Sequence, residues 1–130
     1  SDLLPFEAGI EAGAETVLVS HNIVNAFDSE RPASLSPAVH DLLRNDLDFS
    51  GVILTDDLSM DAITLYCGDQ GPYADAVNAG NDMLIVTDYQ AAYNDILSAV
   101  KCGYISEETL DRAVMRILAW KYTKGLIDSE

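Results

Sequence analysis

Three observations in the sequence predict an α/β fold with a parallel sheet. Three short apolar runs, Thr16–Val17–Leu18–Val19, Gly51–Val52–Ile53–Leu54 and Met83–Leu84–Ile85–Val86, are unbroken rather than alternating, as in strands covered on both faces. They start roughly 31–35 residues apart, which matches a βαβ unit of ~30 residues. The stretches between them carry apolar residues at helical spacing, bounded by start and stop signals.

The elements follow in order. A first helix ends at Gly13, before the first strand. Ser36–Pro37 reads as an N-cap with proline at the first helical position, and Val39, Leu42, Leu43 and Leu47 recur at helical spacing behind it. A helix is expected between the second and third runs. Asp88 is placed to cap a helix carrying Tyr89, Ala92, Ile96 and Val100, with Gly103 at its C-terminal end. Ser106 opens a last helix with Glu107 and Glu108 in its first turn and Lys121 and Lys124 in its last, closed by Gly125. Ala12–Gly13–Ala14–Glu15 before the first strand resembles Ala79–Gly80–Asn81–Asp82 before the third, one turn chemistry used twice. The expected order is helix, strand, helix, strand, helix, strand and two helices. All three strands run into polar residues: Ser20–His21, Thr55–Asp56–Asp57 and Thr87–Asp88. In parallel α/β proteins these carboxyl ends face the site.

The 130 residues, 48% hydrophobic and 22% charged, suit one globular domain rather than a disordered chain. Net charge is −15, and all of it falls in residues 1–100, where Arg31 and Arg44 stand against seventeen acids. Residues 101–130 carry five charges of each sign. Such a surface repels phosphate backbones and anionic lipid, which argues against nucleic-acid and membrane-surface partners. No apolar run approaches the ~20 residues of a membrane-spanning helix. Cys67 and Cys102 have no metal-type spacing and are either free thiols or one disulfide. The first residues lack the basic start and apolar stretch of a signal peptide, but the absence of an initiating methionine fits a piece of a longer chain, so localisation stays open between cell envelope, exterior and cytoplasm.

Asp56–Asp57–Leu58–Ser59–Met60–Asp61 is the densest chemical feature. It suits first an acidic helix N-terminus, as acidic caps after strands are common, and also a carboxylate held over the strand ends as a nucleophile or ligand. Two adjacent aspartates are too few for a metal cage. Asp57–Leu58–Ser59–Met60 also resembles the phosphoacceptor loop of receiver domains, which leaves a non-enzymatic signalling or binding module using Asp57 as the alternative. Residues 83–100, however, contain no lysine of the kind a receiver carries after its last strand. His21 is either held by a backbone carbonyl or free to bond a sugar hydroxyl or orient a neighbour. His40 is expected on a solvated helix face. Met60 divides between core and pocket.

The segments Pro5–Phe6, Ala12–Gly13–Ala14, Val17–Leu18–Val19–Ser20–His21, Arg31–Pro32–Ala33–Ser34–Leu35–Ser36 and Leu42–Leu43–Arg44 form an ordered series. Phe49–Ser50–Gly51–Val52–Ile53–Leu54–Thr55–Asp56–Asp57–Leu58–Ser59–Met60, Ala79–Gly80–Asn81–Asp82–Met83–Leu84 and Leu110–Asp111–Arg112–Ala113–Val114–Met115–Arg116–Ile117–Leu118 continue it. Together they resemble family-three glycoside hydrolases, and the central segment resembles the nucleophile strand of the β-N-acetylhexosaminidase branch. The resemblance implies that residues 1–130 are the C-terminal portion of a (β/α)8 TIM barrel, about three parallel strands with flanking helices, since a whole barrel takes ~250 residues. It implies a retaining hydrolase of terminal N-acetylglucosamine with Asp56 as nucleophile, His21 and Met60 lining the sugar pocket, and no metal or organic cofactor. The branch also carries an acid/base histidine on an Asp-x-His loop and a Lys-His pair earlier in its barrel, and residues 1–15 contain neither histidine nor lysine. The chain is therefore expected to need the remaining half of the barrel and to be inactive alone. Its open sheet edges predict self-association.

Overall fold

The structure, a computed structural model, describes residues 2–67 and 71–128. Helix α1 (Leu4–Glu11) leads into strand β1 (Thr16–Val19). A 3-10 turn (Ala33–Leu35), helix α2 (Pro37–Asp41) and a π-helical turn (Leu42–Asp46) lead to strand β2 (Val52–Thr55). Helices α3 (Asp61–Cys67), α4 (Tyr73–Ala79), α5 (Tyr89–Lys101) and α6 (Glu107–Thr123) follow. Between β2 and the third apolar run the described chain thus makes two helices where one was expected.

β1 and β2 pair in parallel, Thr16 opposite Val52 through Val19 opposite Thr55. The third run lies beside β2 but joins it by a single parallel bridge, Leu54 to Met83. The ladder breaks where the buried Thr55 Oγ1 accepts the Ile85 N–H at 3.1 Å, a bond that a backbone carbonyl takes in a regular strand. The expected third strand is therefore an extended segment, tied also by Thr55 N–H to Met83 O and Leu58 N–H to Ile85 O.

Side chains alternate across the sheet. Val17, Val19 and Ile53 turn toward the helices, where Val19, Ala33, Leu43, Phe49 and Ile53 make one core cluster. Leu84 and Val86 pack on Leu35, Leu58, Ile63 and Ala76, and Leu84 also meets the cluster of Ala74, Val77, Ala99 and Ile105. The opposite face carries the row Leu18, Leu54, Met83, in which Leu18 is 50% and Met83 38% exposed. The two-sided cover read from the unbroken runs holds for β2 but not for Leu18.

Local chemistry explains most element ends. Asp88 and Ser106 cap α5 and α6 by accepting the N–H groups of Ala91 and Thr109. Gly13, Gly103 and Gly125 take positive φ just past the helices they end. Ser36, expected to cap α2, instead donates its hydroxyl to Asp28 Oδ2 at 2.8 Å. Gly51 has no room for a side chain, because a Cβ there would lie 2.3 Å from the Glu15 carbonyl oxygen. That close passage lets Val52 N–H reach the same carbonyl and start the ladder.

Candidate active site

The carboxyl ends of β1, β2 and the 83–86 segment meet at one rim. Asp56 follows β2 directly, and its N–H donates to Val19 O at 3.0 Å, which carries the β1 pairing one residue beyond the strand. By the strand's alternation its side chain lies on the side of Val52 and Leu54, away from the helix layer. Its Oδ1 accepts the Asp57 N–H at 2.8 Å. Asp57 turns the other way. Its Oδ1 accepts the Ser59 N–H at 2.9 Å and the Ser59 hydroxyl at 2.7 Å, and its Oδ2 accepts the Thr87 hydroxyl at 3.3 Å. These bonds, Ser59's first, hold the Asp57 carboxyl below the usual carboxylate range, with a smaller contribution from His21. The two aspartates thus divide the roles that the sequence allowed them: Asp57 makes the local turn bonds, and Asp56 has its carboxylate over the open face.

His21 is 9% exposed, with both ring nitrogens engaged. Nε2 lies 2.9 Å from the Asp57 carbonyl oxygen and Nδ1 2.8 Å from Ser34 Oγ. A carbonyl can only accept, so Nε2 carries the proton; in the neutral ring Nδ1 then accepts from the fully buried Ser34 hydroxyl. Met60 is 45% exposed on the turn beyond Asp57, on the rim rather than in the core. Among the described residues no group of His, Cys, Asp and Glu could hold a metal ion. Cys67 and Cys102 are free thiols.

His40 departs from expectation. It is 2% exposed, packed over Gly80, and Nδ1 donates to Ser36 O at 2.8 Å. The residue fills the contact between α2 and the end of α4, where Gly80 at φ 120 leaves space that a Cβ would take. A helical repeat read without its neighbours cannot reveal such cover.

Sequence reasoning also missed an ionic cluster at the opposite end of the strands. The Asp82 side chain, 1% exposed, accepts from Arg44 at 2.6 Å, from Arg116 at 2.9 Å and from the Ile53 N–H at 2.9 Å. Arg44 also donates to the carbonyls of Phe49 and Gly51. One signal was available: Arg44 is one of only two basic residues in the first hundred. A cavity of about 350 Å³ borders this cluster between α2, α4 and α6, away from Asp56. Placed at the amino ends of the strands, the cluster fastens the chain rather than facing the rim that bears Asp56.

A parallel α/β segment with a divided carboxylate pair at its strand ends is the frame of a polar, open-faced site. The chain belongs to glycosyl hydrolase family 3: the model of that family's N-terminal domain matches residues 1–120. A beta-hexosaminidase of Stenotrophomonas maltophilia (strain K279a) is 40% identical over 86 residues, 65% of this chain and 25% of that protein. A beta-N-acetylglucosaminidase/beta-glucosidase of Cellulomonas fimi is 31% identical over 133 residues, 93% of this chain and 24% of that one. The solved family 3 beta-N-acetylglucosaminidase of Paenibacillus sp. str. FPU-7 superposes with a TM-score of 0.90 at 38% identity, covering 99% of this chain and 26% of that one. The hexosaminidase likeness seen in the sequence thus stands, and the chain spans about a quarter of these relatives' length.

Proposed function

We propose that this chain is the nucleophile-bearing, C-terminal part of the (β/α)8 catalytic barrel of a retaining β-N-acetylhexosaminidase that removes terminal N-acetylglucosamine from cell-wall or chitin oligosaccharides. The observation that carries the reading is Asp56 at the end of β2, its carboxylate on the open face and braced by the Asp57 N–H at 2.8 Å. Family membership and the names of the relatives support it.

In this reading Asp56 attacks the anomeric carbon while the bond to the leaving oxygen breaks. The leaving oxygen takes a proton from an acid on the remaining half of the barrel. Water then attacks the same carbon, giving its proton back to that same acid group, the ester to Asp56 breaks, and two inversions give net retention. Met60 borders the sugar from the rim; His21 lies beneath the pocket floor with both ring nitrogens taken by Asp57 O and Ser34 Oγ, so it supports the pocket without bonding the sugar. Without the acid the reaction lacks a contribution of ~10²–10⁴-fold, so the isolated chain is inactive. The receiver-like alternative is weakened because both carboxylate oxygens of Asp57 are engaged by Ser59 and Thr87.

The test is covalent trapping. A 5-fluoro N-acetylglucosaminyl reagent is incubated with the barrel-complete protein and, separately, with this chain, followed by peptide mapping. One sugar on Asp56 of the complete protein and none on the chain alone is the expected result. A label on any other residue removes Asp56 as nucleophile, and turnover of an aryl N-acetylglucosaminide by the chain alone refutes its inactivity.

A further inference from the structure

We propose that Asp57 is the positioning residue of this site, the hub through which the ends of β1, β2 and the 83–86 segment hold the Asp56 carboxylate in place. The inference rests on the reading of Asp56 as nucleophile. All the polar groups of Asp57 are engaged, each in a different direction. Its N–H donates to Asp56 Oδ1 at 2.8 Å, the bond that fixes the attacking carboxylate. Its carbonyl accepts His21 Nε2–H at 2.9 Å, from the end of β1. Its carboxylate accepts Thr87 Oγ1–H at 3.3 Å, from the end of the 83–86 segment, and both donors of Ser59. Ser59 Oγ and Thr87 Oγ1 lie 3.0 Å apart, side by side against the same carboxylate.

The support on the His21 side continues into the core. His21 Nδ1 meets Ser34 Oγ at 2.8 Å, Ser34 N–H donates to Ser20 O at 3.1 Å, and Ser34 O accepts Asn81 Nδ2 at 2.7 Å. Ser34 and Asn81 are 0% and 2% exposed. Asn81 Nδ2 also donates to Ala76 O at 2.7 Å, which anchors the chain of bonds to α4. The two peptide planes flanking the Asp57 Cα are each held, the first at the Asp57 N–H and the second at the Asp57 carbonyl, and with the side chain pinned to the 83–86 segment the residue has little freedom to rotate, so Asp56 Oδ1 inherits that orientation. A displacement of about 1 Å at a reacting group can cost ~10²-fold in rate, so rigidity at Asp57 bears directly on the glycosylation step. His21 acts through the same hub, its nitrogens holding the turn.

The experiment compares the rate of 5-fluoro sugar trapping at Asp56, with kcat and KM, in the barrel-complete enzyme and in Asp57→Ala, Thr87→Val, Thr87→Ser and His21→Phe. Asp57→Ala, Thr87→Val and His21→Phe are expected to slow trapping by about 10- to 100-fold with KM moving less than about threefold. Thr87→Ser, which keeps the hydroxyl, is expected to restore the rate. Trapping within about twofold of the unsubstituted enzyme in Thr87→Val and His21→Phe overturns the proposal, and these two decide the matter should Asp57→Ala not fold. A loss confined to KM overturns it too, since it would make these residues sugar ligands. An unsubstituted enzyme that takes no label at Asp56 instead sinks the nucleophile reading, and this inference with it. In this chain as it stands, nitrogen NMR of His21 should show a proton on Nε2; a ring protonated at Nδ1 alone would break the strap to Asp57.

Discussion

Asp56 and Asp57 differ in what their neighbours leave free, and that difference predicts distinct behaviour on substitution. In the barrel-complete enzyme Asp56→Ala should abolish turnover, and a small anion such as azide placed in the vacated space should restore product formation in one displacement. The recovered glycosyl azide would then have the inverted anomeric configuration, readable by proton NMR; a retained configuration would argue that another carboxylate attacks. The depressed carboxyls give a pH prediction. Asp57, held by Ser59, and Asp28, held by the Glu30 N–H and the Ser36 hydroxyl, both lie below the usual carboxylate range in the fold. A carboxyl depressed by folding contributes stability above its unfolded value, ~3.9 for aspartate, and loses it as pH falls through the lower folded value. Thermal melts from pH 6 downward should therefore hold this contribution to about pH 4 and lose it below, and Ser36→Ala should blunt the loss. The turn made by Asp57 was legible in the sequence as an acidic helix-start segment, because its bonds to Ser59 are local. The burial of His40 was not, because its cover comes from Gly80, forty residues away.

Elements here are fixed by a few contacts made far apart in the chain. Helix limits at Asp88, Ser106, Gly103 and Gly125 could be read from local residue types, since caps act within one turn. The interrupted third strand could not, because it depends on the Thr55 hydroxyl meeting Ile85 thirty residues later. The Asp82 cluster is equally long-range and joins the π turn, β2 and α6. Removing a buried partner of an ion pair costs up to about 3–5 kcal/mol, and here it leaves Arg44 and Arg116, 16% and 33% exposed, without their shared carboxylate. Asp82→Ala should therefore destabilise the chain by up to about that amount in urea unfolding, whereas Arg112→Ala, whose ion pair among the described residues is an exposed one to Glu108 at 3.9 Å, should change it by less than about 1 kcal/mol. Equal effects would remove the cluster from its role in fastening the amino ends of the strands. Gly51→Ala tests the adjoining close passage. Its Cβ would meet the Glu15 carbonyl and the Phe49 ring, so a loss of about 1–3 kcal/mol or more is expected from overpacking.

The whole molecule combines an acidic surface with an uncovered apolar sheet face, and the two pull in opposite directions. Among the described residues β1 has a strand on one side only, and Leu18 and Met83 are half-exposed on the face shared with Leu54. Beside β1 an apolar groove of about 460 Å³ runs between Phe6, Val17, Val24, Phe27, Leu42 and Leu47. An open edge next to apolar surface favours pairing with a further strand, from the rest of a barrel or from a second copy. A charge of −15 opposes the approach of copies, and salt screens that repulsion over about 10 Å at 0.1 M. Light scattering across a concentration series should therefore show a mass that rises with protein concentration and rises further between ~0.01 M and ~1 M salt. Leu18→Lys puts a charge at the edge and should return the chain toward a single copy at high salt. A constant single-chain mass throughout would mean that the exposed row is stable against water in the isolated chain. A salt-driven rise that Leu18→Lys leaves unchanged would move the contact to another surface, of which the exposed Tyr89 and Tyr93 on α5 are the first to test.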